Sequence, residues 1–261
     1  MKTPIYQIDA FTSKIFGGNP AAVCPLSQWL ATETMQQIAA ENNLAETAFF
    51  VWEGNQFHLK WFTPEIEMDL CGHATLAAAH VIFNHLNYTS NTIFFESRSG
   101  MLTVTRHTDY LTLDFPSRVP QPATLPGIIE EGIGKKPLEV LKARDYVLVY
   151  ESEDDVLQMQ PNVALLNTIN IDPGGIIVTA PGREVDFVSR FFVPQASIFE
   201  DPVTGSAHCS LIPYWAQRLN KNKLRARQVS KRVGELTCEL HNDRVWISGK
   251  AVTYLEGSIY I

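Results

Sequence analysis

Glu46 is the residue whose neighbours best suit it to move a proton. It stands in Asn42-Asn43-Leu44-Ala45-Glu46-Thr47-Ala48-Phe49, between an amphipathic stretch and an apolar one. A carboxylate at the end of an apolar strand is desolvated, which raises its pKa and fits it for general acid–base work near neutral pH. Its spacing alone fits a surface or capping glutamate as well. Two other segments have the parts of an anion-binding device. One is Asp69-Leu70-Cys71-Gly72-His73-Ala74-Thr75, the other Asp201-Pro202-Val203-Thr204-Gly205-Ser206-Ala207-His208. Each runs into a stretch that is apolar almost all round, the mark of a buried helix. A helix start has unpaired N–H groups and the positive end of the dipole, and a glycine there admits an anion to the backbone. His73 falls in such a first turn, where the dipole disfavours imidazolium and a neutral donor–acceptor is expected. A satisfied core histidine is the plainer reading of it. Asp201 and Ser206 sit where N-caps would. His80, His85 and His208 have no HExxH-type spacing and read as structural.

Composition narrows the classes. The chain has 261 residues, room for one large domain or two of about 100–150 residues. A hydrophobic content of 45%, with 19% charged residues, is that of a soluble globular protein. The net charge of −7 and the lack of a basic stripe argue against nucleic acid. The densest basic stretch, Lys221 to Arg232, reads as a solvated helix end and strand. Met1-Lys2-Thr3-Pro4 runs at once into strand-like residues, so no signal peptide is expected. No apolar run approaches the roughly 20 residues a bilayer span needs. Cys24, Cys71, Cys209 and Cys238 are scattered without CxxC spacing, which suggests a reduced, cytoplasmic protein without zinc. No metal is expected, because the histidines lack ligand spacing. No nucleotide cofactor is expected, because there is no P-loop and no GxGxxG after a strand; a GxSxG elbow is also missing.

The elements that must position these residues are mixed. Alternation predicts strands at Ile5–Phe11, Thr47–Trp52, Phe57–Phe62, Thr92–Glu96, Gly100–Arg106 and Tyr110–Phe115. Helical spacing predicts Thr32–Asn42 and the buried Gly72–His85. Pro116, Pro120, Pro122 and Pro126 make the best linker in the chain. Beyond it, short helical pieces are expected at Leu125–Ile133, Pro137–Leu141 and Asn162–Ile169. Strands are expected at Asp145–Tyr150, Gly175–Ala180, Val185–Val193, Val229–Leu240, Arg244–Ser248 and Ala251–Ile259. The second buried helix is expected at Gly205–Leu219. The fold class is therefore α+β. Two similar domains are expected, residues 1–117 and 118–261, with an anionic ligand between two buried helices. The last strand either returns to the first sheet or completes the second.

Four blocks carry a resemblance: Gly17-Gly18-Asn19-Pro20-Ala21-Ala22-Val23, Asn43 to Phe49, Cys71-Gly72-His73-Ala74-Thr75, and Arg190 to Pro194 through Glu200-Asp201-Pro202-Val203-Thr204-Gly205-Ser206-Ala207. In order and content they resemble the PhzF (phenazine biosynthesis-like) family, over nearly the whole chain. The resemblance implies the diaminopimelate epimerase fold, with a strongly curved, mainly antiparallel sheet around a central helix in each domain. It implies a cofactor-independent isomerase that moves a proton on a small unsaturated carboxylic or amino acid, as the best-understood member does with trans-2,3-dihydro-3-hydroxyanthranilate. Glu46 takes the part of general acid/base, supported by His73, Asp201 and Ser206. Asn19, Gly72, Ala74, Thr204 and Gly205 take the substrate-binding places. A small anionic substrate and a homodimer complete that expectation. One departure is Arg232-Val233-Gly234, where the family often has Arg-Gly-Gly; a β-branched residue there should alter the backbone. Two rival readings stand beside this one. A racemase with two opposed thiols would use Cys71, but the partner position is Ala207, and Cys209 lies roughly 200° further round the helix. The other is a non-catalytic ligand-binding protein with the same fold.

Overall fold

The structure is a computed structural model that describes residues 2–171 and 174–261. The chain divides into two compact units, residues 1–115 with 246–261, and residues 116–245. In the first unit the order is β1 (Lys2–Ala10), β2 (Asn19–Leu26), α1 (Thr32–Asn42), β3 (Glu46–Glu53), β4 (Gln56–Phe62), β5 (Glu67–Met68), α2 (Gly72–His85), β6 (Thr92–Ser97), β7 (Gly100–Arg106) and β8 (Leu111–Pro116). The second has β9 (Gln121–Pro122), α3 (Gly127–Ile133), β10 (Glu139–Lys142), β11 (Tyr146–Val149), α4 (Glu153–Leu157), α5 (Val163–Leu166), β12 (Ile176–Pro181), β13 (Phe187–Phe192), β14 (Glu200–Asp201), α6 (Gly205–Leu219), β15 (Lys223–Gln228) and β16 (Gly234–His241). β17 (Arg244–Gly249) leads into β18 (Ala251–Tyr260), which pairs antiparallel with β1.

Each unit contains the same local plan. In the first, β4 pairs with the two-residue β5, the chain enters α2, and β6 returns parallel to β4. In the second, β13 pairs with the two-residue β14, the chain enters α6, and β15 returns parallel to β13. A parallel return requires a crossover, and the helix supplies it. Most other neighbours are antiparallel; β2 with β3 and β11 with β12 are parallel.

α2 is buried from Gly72 to Phe83 except at His80, which a 14-residue helix that is half Ala, Leu, Val and Ile permits. It packs on β1, β2 and β3 of its own unit. α6 is buried from Gly205 to Ala216 except at Tyr214. Pro213 inside α6 has no N–H to give the Cys209 carbonyl four residues back. That carbonyl instead accepts the backbone N–H of Arg118, at 2.9 Å. Part of the proline-rich segment is thereby tied to the helix.

α1, α2 and α6 have the boundaries expected of them. Pro137–Leu141 is not helical. Glu139–Lys142 forms β10, paired with β9 on one side and β11 on the other, and that ladder outweighs local helix preference. The helix expected over Asn162–Ile169 is only α5, four residues long and capped by the Asn162 side chain. The strand expected from Val229 begins at Gly234, because residues 230–233 turn. In that turn Val233 has φ 54°, the left-handed region a β-branched residue strongly resists. Gly234 follows where a Cβ would meet the Val203 side chain at 2.2 Å.

Candidate active site

At the start of α2, three elements bring Asn19, Glu46 and His73 together. Asn19 is the first residue of β2, and Glu46 the first of β3, paired in parallel with Ala21. His73 is the second residue of α2, behind the extended N-cap Cys71. Asn19 is fully buried, and its Nδ2 lies 3.0 Å from His73 Nδ1. An amide N–H can only donate, so in this orientation Nδ1 accepts and the ring proton belongs on Nε2. His73 Nε2 lies 3.1 Å from Glu46 Oε2, with the imidazole 3% and the carboxylate 15% exposed. The approach is misaligned for a hydrogen bond. Neither atom has another hydrogen-bond partner among the described residues.

Burial alone would lower the His73 pKa. The Cys71 sulfur and the Glu46 carboxylate act the other way, and the value is raised well above that of an ordinary histidine. Cys71 acts so only as a thiolate, yet burial, then the charge of Glu46, pushes that thiol up to about 11. Near neutral pH the Glu46 carboxylate is therefore what favours a proton on His73. That preference opposes the neutral ring expected from the helix dipole, which is the form that accepts the Asn19 N–H at Nδ1.

Cys71 Sγ sits 3.6 Å from His73 Nδ1, closer to the chemistry than a bystander. Glu46, Cys71 and His73 offer donor atoms all within 4.8 Å of one another, a composition that a metal ion could use. Their arrangement is poor for one ion. Cys71 approaches Nδ1 and Glu46 approaches Nε2, and the lone pairs of those two nitrogens diverge.

At the start of α6 the expected residues are present with a different set of partners. Thr204 is the N-cap; its hydroxyl donates to Asp201 Oδ2 and accepts from Gln228 Nε2 at 3.2 Å. Gln228 also accepts the Thr204 N–H at 2.8 Å and donates to the Asp201 carbonyl at 2.7 Å. Thr204 thus orients Asp201, and its own N–H and O–H are both in use. Glu200 is taken by the Arg190 guanidinium at 2.7 and 2.9 Å, which locks β13 to β14 just ahead of Asp201. Ser206 Oγ accepts from Arg144 Nη2 at 3.0 Å, and Arg144 is forked onto Asp145. Ala207 is buried, and Gly72, Ala74 and Gly205 lie in buried first turns. Cys209 turns back toward the Gly205 carbonyl at 3.9 Å, and burial pushes its thiol up to about 12. His208 donates through Nδ1 to the Thr204 carbonyl at 2.8 Å, and burial pulls its pKa down to about 4.

Sequence reasoning missed Arg144, Asp145 and Gln228. They lie 62, 61 and 22 residues from Ser206 in the chain, outside any short motif. An Arg-Asp dipeptide between two short strands was the one local hint.

The family model for phenazine biosynthesis-like proteins (PhzC-PhzF) matches residues 8–257. The chain belongs to that family. It is 51% identical over 260 residues to an uncharacterized isomerase of Pseudomonas aeruginosa, covering 99% of each chain. A second uncharacterized isomerase of the same organism is 48% identical, with both chains covered completely. Among solved structures, a PhzF-family protein of Enterococcus faecalis superposes with a TM-score of 0.95 at 48% identity, covering 100% of both chains. As a PhzF-family α+β protein, the chain has in each unit the sheet and central helix that the resemblance implied.

Proposed function

We propose that this PhzF-family protein is a cofactor-independent isomerase that moves a proton on a small unsaturated carboxylic or amino acid, with Glu46 as the general acid/base. One observation carries the reading. Glu46 Oε2 and His73 Nε2 are buried 3.1 Å apart, and neither has a hydrogen-bond partner among the described residues. Buried polar atoms left so are usually completed by a water, an ion or a ligand. The Glu46 carboxylate would take a proton from one substrate carbon while the C–H electrons move into the adjacent unsaturation. It would return that proton to a second carbon on the same face, so atoms and charge balance without an added reagent. His73, its Nδ1 held by Asn19, would donate from Nε2 and keep Glu46 in place. Asp201 and Ser206 would hydrogen-bond the substrate's polar groups, and Gly72, Ala74 and Gly205 would offer backbone N–H groups.

The names of the relatives support the isomerase class. The two-thiol alternative is less well supported, because Ala207 stands at the second thiol's place and Cys209 is buried against its own helix. A homodimer in the cytoplasm belongs to the same proposal. Four unpaired, buried cysteines support a reducing compartment, and no helix among the described residues is long and apolar enough to cross a membrane.

The test is proton exchange in deuterated water with a panel of small unsaturated acids. Glu46→Gln keeps shape and removes basicity, and should cost at least ~10² in rate. Cys71→Ala serves as the control and should retain exchange. A folded Glu46→Gln variant with wild-type exchange, or a Cys71→Ala variant without it, would sink the reading.

A further inference from the structure

Ser206 has a one-sided hydrogen-bond environment. Its residue is 8% exposed, in the first turn of α6. A serine hydroxyl has one proton to donate and two lone pairs to accept with. Arg144 Nη2 occupies the accepting side at 3.0 Å. The proton has no acceptor among the described residues. A helical serine commonly turns its proton to the carbonyl four residues back, here that of Pro202. Ser230 Oγ already donates to that carbonyl at 2.8 Å.

Arg144 itself is held in a fixed pose. Asp145 is 1% exposed and receives Arg144 Nε at 3.1 Å and Nη2 at 3.0 Å, as well as the Gly175 N–H at 2.8 Å. A planar guanidinium in a fork has little freedom, and a lysine cannot reproduce it. The Asp145 charge cancels that of Arg144, so the pair is a poor anion site in its own right. Its effect falls on the Ser206 hydroxyl that the guanidinium reaches.

We propose that Arg144 is a positioning residue that acts through Ser206. Held by the buried Asp145, it fills the accepting side of Ser206 Oγ and commits the hydroxyl to donating to a carboxylate of the substrate. This rests on the reading that Ser206 meets the substrate. It adds that the group met is an anionic acceptor, and that specificity for it is set from β10–β11, outside the family's motif blocks. A neutral amide, which presents N–H as well as C=O, would gain less from an obligatory donor with a cation behind it.

The experiment uses the full-length protein and two probes, benzoate and benzamide, titrated and followed by nuclear magnetic resonance. The variants are Ser206→Ala, Arg144→Lys, the charge-neutral pair Arg144→Gln/Asp145→Asn, and that pair with Ser206→Ala. The paired change avoids leaving a buried carboxylate alone. Benzoate should bind more tightly than benzamide to the wild type. Ser206→Ala and the neutral pair should each weaken benzoate by roughly 10-fold, the scale of one hydrogen bond to a charged group. The triple variant should be no weaker than Ser206→Ala alone, because the two changes remove one interaction. Benzamide affinity should stay within about 2-fold throughout. If the neutral pair does not fold, Arg144→Lys carries the same comparison. Wild-type benzoate binding by the folded pair (or by Arg144→Lys in its place), losses that multiply in the triple variant, or no preference for benzoate in the wild type would each overturn the proposal. Proton exchange that depends on Glu46 would stand in all three cases, so this failure is distinct from failure of the isomerase reading.

Discussion

At the start of α2, Glu46 Oε2 and His73 Nε2 are buried and lack hydrogen-bond partners among the described residues, and a Cys71 thiol presses on the far side of the ring. At the start of α6, Thr204, Asp201 and Gln228 form a closed network, and Arg144 is locked on Asp145. The same local plan, a two-residue strand leading into a buried helix, is finished in opposite ways. Open polar atoms cost stability and leave work for a ligand. A closed network contributes stability and fixes geometry. On the function proposed above, the first helix start would hold the reacting groups, and the second a rigid set of recognition groups.

The sharpest way to break this contrast is to alter one residue at each place and measure both stability and exchange. Glu46→Gln should lose at least ~10² in exchange rate, with only the smaller loss of stability that comes from the His73 proton. Gln228→Ala should do the reverse. It strips three hydrogen bonds from a buried turn and should cost about 1–3 kcal/mol in denaturant unfolding. A Gln228→Ala protein as stable as the wild type would show that the second helix start is not the rigid one.

Next in size is the response to pH, since each helix carries a buried histidine shifted in its own direction. His208 on α6 is held down to about 4 by burial. Between its unfolded value of about 6.5 and 4, the unfolded chain binds the proton and the folded chain does not, so stability should fall as pH drops through that range. His80 on α2 is lowered to about 4 by burial and by His85, and adds to the same loss. His73 is raised. Its contribution is fully present below about pH 6.5 and fades as pH rises through the folded value. Thermal midpoints from pH 4 to 9 should therefore drop on the acid side. Glu46→Gln should flatten the alkaline side, because that carboxylate is what favours the His73 proton, and should steepen the acid side, because burial then acts on His73 unopposed. An alkaline limb left unchanged by Glu46→Gln would contradict the assignment.

The smallest expected effect is at Val233. Its φ of 54° is costly for a valine, and the residue is 40% exposed, so little packing is lost by trimming it. Val233→Gly should stabilise by about 1 kcal/mol, the relief of strain less the added freedom of the unfolded chain. Unchanged or lower stability would mean that the valine is held by contacts worth more than its strain.

Much of this was legible in the residues. The ends of α2 and α6 follow from glycine after an extended residue, then an apolar run, and the motif blocks pointed to Glu46, His73, Asp201 and Ser206. The signal for β15 was also present: Leu224, Ala226 and Gln228 face inward between Lys223, Arg225 and Arg227, but a run of cations hides period-two alternation. β10 was not legible, because Glu139-Val140-Leu141-Lys142 is too short to show a period and is a strand only through its neighbours on both sides. The partners of the site residues were hidden for a related reason. That Asn19 would orient His73, or Arg144 Ser206, depends on contacts across 54 and 62 residues of chain.

Pro213 has a consequence of another kind. A proline within a helix is usually counted as a lost hydrogen bond, but here the vacated Cys209 carbonyl is what fastens the amide of Arg118. The Arg118 amide therefore acquires its partner only once α6 has wound past residue 209, which makes the exchange rate of that single amide with solvent a reporter of helix formation from outside the helix. An alanine at 213 would bring a competing N–H to the same oxygen. The helix would gain a rung while the Arg118 amide lost sole use of that oxygen.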